Sequence, residues 1–140
     1  LEKNFQKQLS NLNIDKLDGK ELSDEEFKKF LLRLHKPGKL AELANDLRNQ
    51  TGHDFIERDG KTLYLKLFDG VNLEKNIFQV TNQIVQEGKY KNRYDVTILI
   101  NGLPLIQIEL KRPGVDVNQA FAQMRRYKHH TMDSTLFDFL

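Results

Sequence analysis

At 140 residues the chain has room for one domain with a real core, and the absence of cysteine excludes a disulfide framework or a thiolate zinc site. A net charge of only +2 does not by itself announce a polyanionic partner. The lack of cysteine fits a reducing cytoplasm; no apolar run approaches the roughly 20 residues of a membrane span, and no signal-peptide pattern opens the chain.

Phe5, Leu9 and Leu12 fall at helical spacing. Ser23-Asp-Glu-Glu26 reads as a capping box, followed by Phe27, Phe30, Leu31 and Leu34 along one helical stripe. Lys36-Pro-Gly38 stops that helix, and Leu40, Leu43, Ala44 and Leu47 form a further apolar stripe that ends by Gly52. Residues 1–60 are therefore expected to be mainly helical.

Beyond residue 60 the pattern changes. Leu63, Leu65 and Leu67 alternate with Tyr64 and Lys66 as in a half-buried strand bounded by Asp69-Gly70. The segment Ile77-Phe-Gln-Val80 reads as a strand, although Val80 and Ile84 also suit a helix. Residues 94–100 and 105–110 are β-branched-rich strands joined at Asn101-Gly102. After Lys111-Arg-Pro-Gly114, Asp116 is the expected N-cap of a helix with Ala120, Phe121, Met124 and Tyr127 on its buried side. Helices, then strands, then a helix give an α/β fold: a mixed sheet flanked by helices, with residues 61–140 as its core. Because the chain starts at Leu1 and the apolar run 135–140 stops abruptly, it is expected to be a piece of a longer polypeptide, with its sheet incomplete at the C-terminus.

Charge is unevenly spread. Up to Glu87 there are 14 basic and 15 acidic residues; after it there are eight basic and five acidic. A basic second half suits a polyanion, and it is also what an ordinary solvated surface looks like.

Three charges interrupt the most apolar strands: Asp95 near the start of one, Glu109 and Lys111 at the end of the next. Such strands gain little from carboxylates, so these residues point to chemistry. Side chains alternate along a strand, which puts Leu105, Gln107, Glu109 and Lys111 on one face and Ile106, Ile108 and Leu110 on the other, toward the core. A strict two-residue Asn101-Gly102 loop would pair Asp95 with Ile108 and send it to the wrong face. A three-residue loop or a bulge would restore its meeting with Glu109, and one of these is expected. Two carboxylates, helped by a backbone carbonyl, could then hold Mg²⁺ through hard oxygen ligands, with Lys111 orienting a water or offsetting charge on a phosphate. A plain Glu109–Lys111 surface salt bridge is the competing reading.

With these residues placed, the chain resembles the PD-(D/E)xK nuclease superfamily. Within it, the similarity is to the N-terminal endonuclease domain of the restriction (R) subunit of type I restriction-modification enzymes. The residues that carry it are Arg93-x-Asp95, Asn101-Gly-Leu-Pro-Leu105, Ile108-Glu-Leu-Lys111 and Gln123-x-x-x-Tyr127, with Asn76-x-Phe78-x-Val80-x-x-Gln83 upstream. It is strong over residues 76–139 and weak over the helical first half. The resemblance implies that Asp95, Glu109 and Lys111 are the catalytic acid pair and lysine, with Asp95 and Glu109 holding the Mg²⁺. Gln123 and Tyr127, one helical turn apart, would help to position DNA or the active site; without the resemblance they read as a packing face. Arg112, Arg125, Arg126 and Lys128 could bind phosphates without reading sequence. His129-His130 diverge on a helix, which argues against a metal pair there, and an early helical glutamate of the family would fall on Glu2.

Tyr94 replaces the superfamily's proline before the catalytic aspartate. No G-x-x-x-x-G-K-[ST] motif is present, so ATP would be used only by motor domains of the full-length subunit. The implied activity is cleavage of duplex DNA remote from the recognition site, with modification and specificity subunits as partners. The alternatives are a non-catalytic DNA-binding module, or a repair or mobile-element nuclease, on the same fold.

Overall fold

The computed structural model describes residues 1–34, 45, 55–87 and 91–130, and for 86–87, 91–93 and 126–130 the backbone alone. The stripe at Leu40, Leu43, Ala44 and Leu47 and the run 135–140 lie outside the described residues. The elements are α1 (Glu2–Leu12), α2 (Asp24–Leu34), β1 (Phe55–Arg58), β2 (Lys61–Tyr64), a 3-10 turn (Leu73–Lys75), β3 (Phe78–Glu87), β4 (Lys91–Ile100), β5 (Leu103–Ile108) and α3 (Val117–His130). The fold is α/β. The described strands form two sheets, β1-β2 and β3-β4-β5. Contacts cluster into two units: Leu1–Phe78 with Ile100–Gly102, and Gln79–Leu99 with Leu103–Leu140.

In the first unit the capping box forms as read. The Glu26 N–H donates to Ser23 Oγ at 3.2 Å and the Ser23 N–H to Glu26 Oε2 at 2.8 Å, using donors that the helix leaves free. From that start α2 buries Phe27, Phe30, Leu31 and Leu34. Phe5 of α1 meets Phe27 edge-on at 5.6 Å between ring centroids. Each such buried side chain contributes about 1.5–3 kcal/mol. Arg58 of β1 grips Glu26 with two hydrogen bonds of 2.7 Å and donates to the Leu17 and Glu21 carbonyls, fixing α2 against the preceding loop and the strand.

β1 was not foreseen. Its signal is Asp59-Gly60, both at positive φ (51° and 74°), a turn that matches the twist of the antiparallel β1-β2 pair. β2 ends at Tyr64, short of the expected strand through Leu67, while Leu65 is still buried. The ambiguous segment at Ile77 resolves as a strand, β3.

The turn between β4 and β5 is the other decisive local feature. Asn101 (φ 51°) and Gly102 (φ 82°) make a strict two-residue loop, which overturns the three-residue expectation. Its surroundings explain why. Asn101 and Ile77 exchange hydrogen bonds of 2.8 Å, the Asn101 side chain donates to the Leu67 carbonyl and to Asn76 Oδ1 at 2.9 Å each, and a Cβ on Gly102 would lie 2.6 Å from Phe5 Cα.

Ile106, Ile108 and Leu110, expected in the core, are exposed. β5 ends the order β3-β4-β5 among the described strands, and apolar character states which residues favour burial but not which surface covers them. α3 shows the same correction. Phe121 and Met124 are 57% and 40% exposed, whereas Ala120 and Gln123 are half-buried. Asp116 does cap α3: its Oδ1 accepts from the Asn118 N–H at 2.9 Å, which holds the carboxyl below its usual range. Among the described residues no helix is long and apolar enough to cross a membrane.

Gly102→Ala should destabilise far more than Gly60→Ala. Both meet the left-handed strain of about 1 kcal/mol, but only the first also strikes backbone; urea unfolding of the two variants side by side checks this. The Arg58 hydrogen bonds hold the Glu26 carboxyl at about 2, against an ordinary 4.5. Its stabilisation is therefore complete above pH 4.5 and is lost as pH falls from there through about 2. Glu26→Gln should cost about 1.5–3 kcal/mol at pH 7 and much less near pH 2, measured by the same method.

Candidate active site

The three charges singled out from the sequence lie in the second unit, on β4 and on the segment that leaves β5 toward α3. Asp95 Oδ2 accepts from the N–H of Leu110 at 2.9 Å. Leu110 stands between Glu109 and Lys111, so this bond brings the Asp95 carboxylate to the E-x-K backbone. With a two-residue loop a regular hairpin would set Asp95 opposite Ile108. β4 is not regular in its burial: Thr97 and Leu99 are buried in one phase and Tyr94 in the other, as expected where a strand changes phase.

Glu109 is nearly inaccessible, its side chain 2% exposed. A carboxylate is costly to bury without a counter-charge, and Lys111 supplies one: its Nζ donates to Glu109 Oε1 at 2.8 Å. The same Nζ donates to Gln123 Oε1 at 2.6 Å, so the amine is held between β5's extension and α3. Gln123 is thereby shown on the half-buried side of α3, facing the lysine rather than packing with Phe121 and Met124.

The second oxygen of Glu109, Oε2, is buried with no hydrogen-bond partner, and so is Nε2 of Gln107, two residues earlier. An unbonded buried carboxylate oxygen suits a hard cation such as Mg²⁺, whose ligands are oxygens. Among the described residues no three or more His, Cys, Asp or Glu side chains converge, so a cation here would rest on two carboxylates, backbone carbonyl and water.

Arg112 and Arg125 are exposed. Tyr127, Arg126, Lys128, His129 and His130 continue α3, and their side chains lie outside the described residues, as does that of Arg93. Glu2 sits in the first turn of α1. Asn76, Phe78, Val80 and Gln83 divide in character. Asn76 is buried and bonded to Asp69 and Asn101, Phe78 and Val80 are exposed, and Gln83 takes a positive φ of 51° inside β3. Asn76 thus holds the hairpin turn. Gln107 is the residue that sequence reasoning placed on the Glu109 face without giving it a role; the signal was a polar amide in an otherwise apolar strand.

The family model described as "Type I restriction enzyme R protein N terminus (HSDR_N)" matches residues 1–140, including the helical first half where the sequence resemblance was weak. The chain is similar to the SauCOLORF180P type I restriction enzyme endonuclease subunit of Staphylococcus aureus (strain COL), 47% identical over 127 residues, covering 89% of this chain and 13% of the relative. It is similar to the SsaAORF53P endonuclease subunit of Staphylococcus saprophyticus, 45% identical over 126 residues, with the same coverage of 89% and 13%. The EcoprrI endonuclease subunit of Escherichia coli is 40% identical over 141 residues, 98% of this chain and 44% of that protein. The chain thus spans less than half the length of these relatives.

Proposed function

The chain belongs to the family of type I restriction enzyme R protein N termini, and from that premise we propose that it is the Mg²⁺-dependent endonuclease part of a restriction subunit, hydrolysing phosphodiester bonds of duplex DNA away from the recognised sequence. The observation that carries the reading is the state of Glu109: buried, one oxygen held by Lys111, the other unbonded, with the Asp95 carboxylate bonded to the adjoining peptide.

In this reading Asp95 and Glu109 hold the cation. When bound, Mg²⁺ would polarise the scissile phosphate and make a bound water more acidic. Lys111, anchored by Gln123, presents a fixed positive charge where the phosphate gains negative charge, and a preorganised charge needs no rearrangement during the reaction. Anchoring matters because a lysine side chain is otherwise flexible. Tyr127, one turn after Gln123, would share in positioning. Arg112 and Arg125, with Arg126 and Lys128 further along α3, would bind backbone phosphates and give salt-dependent, sequence-independent affinity. Reading of the sequence would fall to a specificity subunit and methylation to a modification subunit. ATP would be consumed only by motor domains of the full-length subunit, within a cytoplasmic complex.

Plasmid cleavage by the assembled complex tests the site. Asp95→Ala and Lys111→Ala should each lower cutting by at least ~100-fold while DNA-stimulated ATP hydrolysis is retained. Gln123→Ala should lower it by roughly tenfold, since it loosens the lysine without removing it. Undiminished cutting in Asp95→Ala would exclude the site.

A further inference from the structure

We propose that Gln107 is a substrate-contacting residue of this site, its side-chain amide donating to a phosphate oxygen of the DNA strand beside the cation that Glu109 holds. The inference deepens the nuclease reading and rests on it.

Two buried polar atoms without hydrogen-bond partners stand on one side of β5's path: Nε2 of Gln107 and Oε2 of Glu109. The burial pattern alternates from Leu105 to Leu110, with Leu105, Gln107 and Glu109 half-buried and Ile106, Ile108 and Leu110 exposed, so Gln107 and Glu109 share the covered face. Buried polar groups are rarely left unbonded, and an exception is accounted for by a role such as binding or catalysis. One of these atoms is a donor and the other an acceptor, yet they are not bonded to each other.

The chemistry of the pair selects the ligand. A carboxylate oxygen takes a cation or a donor; an amide N–H takes an oxygen acceptor. A phosphodiester oxygen lying against a divalent cation satisfies both, the cation on Glu109 and the oxygen on Gln107. A neutral amide also fits this position electrically. With two carboxylates and an ammonium already at the site, the amide donates without adding a further charge. A single water bridging the two atoms is the competing occupant, and it would make Gln107 a structural residue only.

The test uses the intact restriction subunit in its assembled complex, with Gln107→Met, close in size but without the donor, and Gln107→Glu, equal in shape with the donor replaced by an acceptor. Both should cut plasmid about ten- to a hundredfold more slowly at saturating Mg²⁺ with ATP hydrolysis unchanged. Amide hydrogen exchange of the β4–β5 peptides of Gln107→Met, measured without Mg²⁺, should match the wild type, because no bond of the resting protein has been removed. Slowed cutting together with faster exchange in those peptides would overturn the proposal in favour of the bridging water. Cutting by both variants within about twofold of wild type, beside an inactive Asp95→Ala, would overturn it and leave the nuclease reading standing. If Asp95→Ala also cuts normally, both fall.

Discussion

A carboxylate almost wholly removed from water must be compensated, and the geometry of the candidate site follows from how Glu109 is compensated. Burial of an unpaired charge costs several kcal/mol by general estimates, enough to consume much of a domain's net stability of roughly 5–15 kcal/mol. Lys111 answers for one oxygen. An amine on a four-carbon stem does so reliably only if something else holds it, and Gln123 does, from a helix whose start is set by the Asp116 cap. A cap at one end of α3, an amide in its second turn and an acid after β5 are therefore one connected arrangement. Removing any link leaves the buried acid less well matched.

The hairpin that carries Asp95 and approaches Glu109 is held at its far end by a different kind of chemistry. Asn101 and Gly102 adopt backbone conformations that few residues tolerate, and the asparagine then uses its side chain to satisfy the Leu67 carbonyl, the Ile77 N–H and the Asn76 side chain. Asn76 in turn bonds the Asp69 backbone through both its donor and its acceptor. Fully satisfied buried networks of this kind specify one arrangement because every partial alternative leaves a polar group unpaired. The conformation of this turn is thus determined by amides and a glycine rather than by hydrophobic pattern. Asn76, at the head of the segment leading into β3, contributes its side chain to this support.

Several features were legible in the residues alone. The capping box of α2, its buried stripe, the Asp116 cap and the strands on either side of Asn101-Gly102 all follow from local rules, since capping, turn conformation and periodicity act over a few residues. Asp95, Glu109 and Lys111 stood out because charges are rare in apolar strands, and Gln123 because it shared a motif with Tyr127. β1 was missed although Asp59-Gly60 carries the same turn signal, because a four-residue strand offers too short an alternation to register.

By itself, the sequence determined the caps of α2 and α3, the strands flanking Asn101-Gly102, the family to which the chain belongs and the identities of the residues from which a site could be built. Only the tertiary structure decided how those residues meet: that the turn is two residues long, that Gln123 rather than Phe121 or Met124 faces the sheet's charged end, that Ile106, Ile108 and Leu110 are exposed, and that Glu109 and Gln107 each keep a buried polar atom unbonded. The reason is physical. Propensity and periodicity describe a residue's preference for a backbone state or for burial, whereas facing, pairing and unmet hydrogen bonds depend on surfaces contributed by residues distant in the chain.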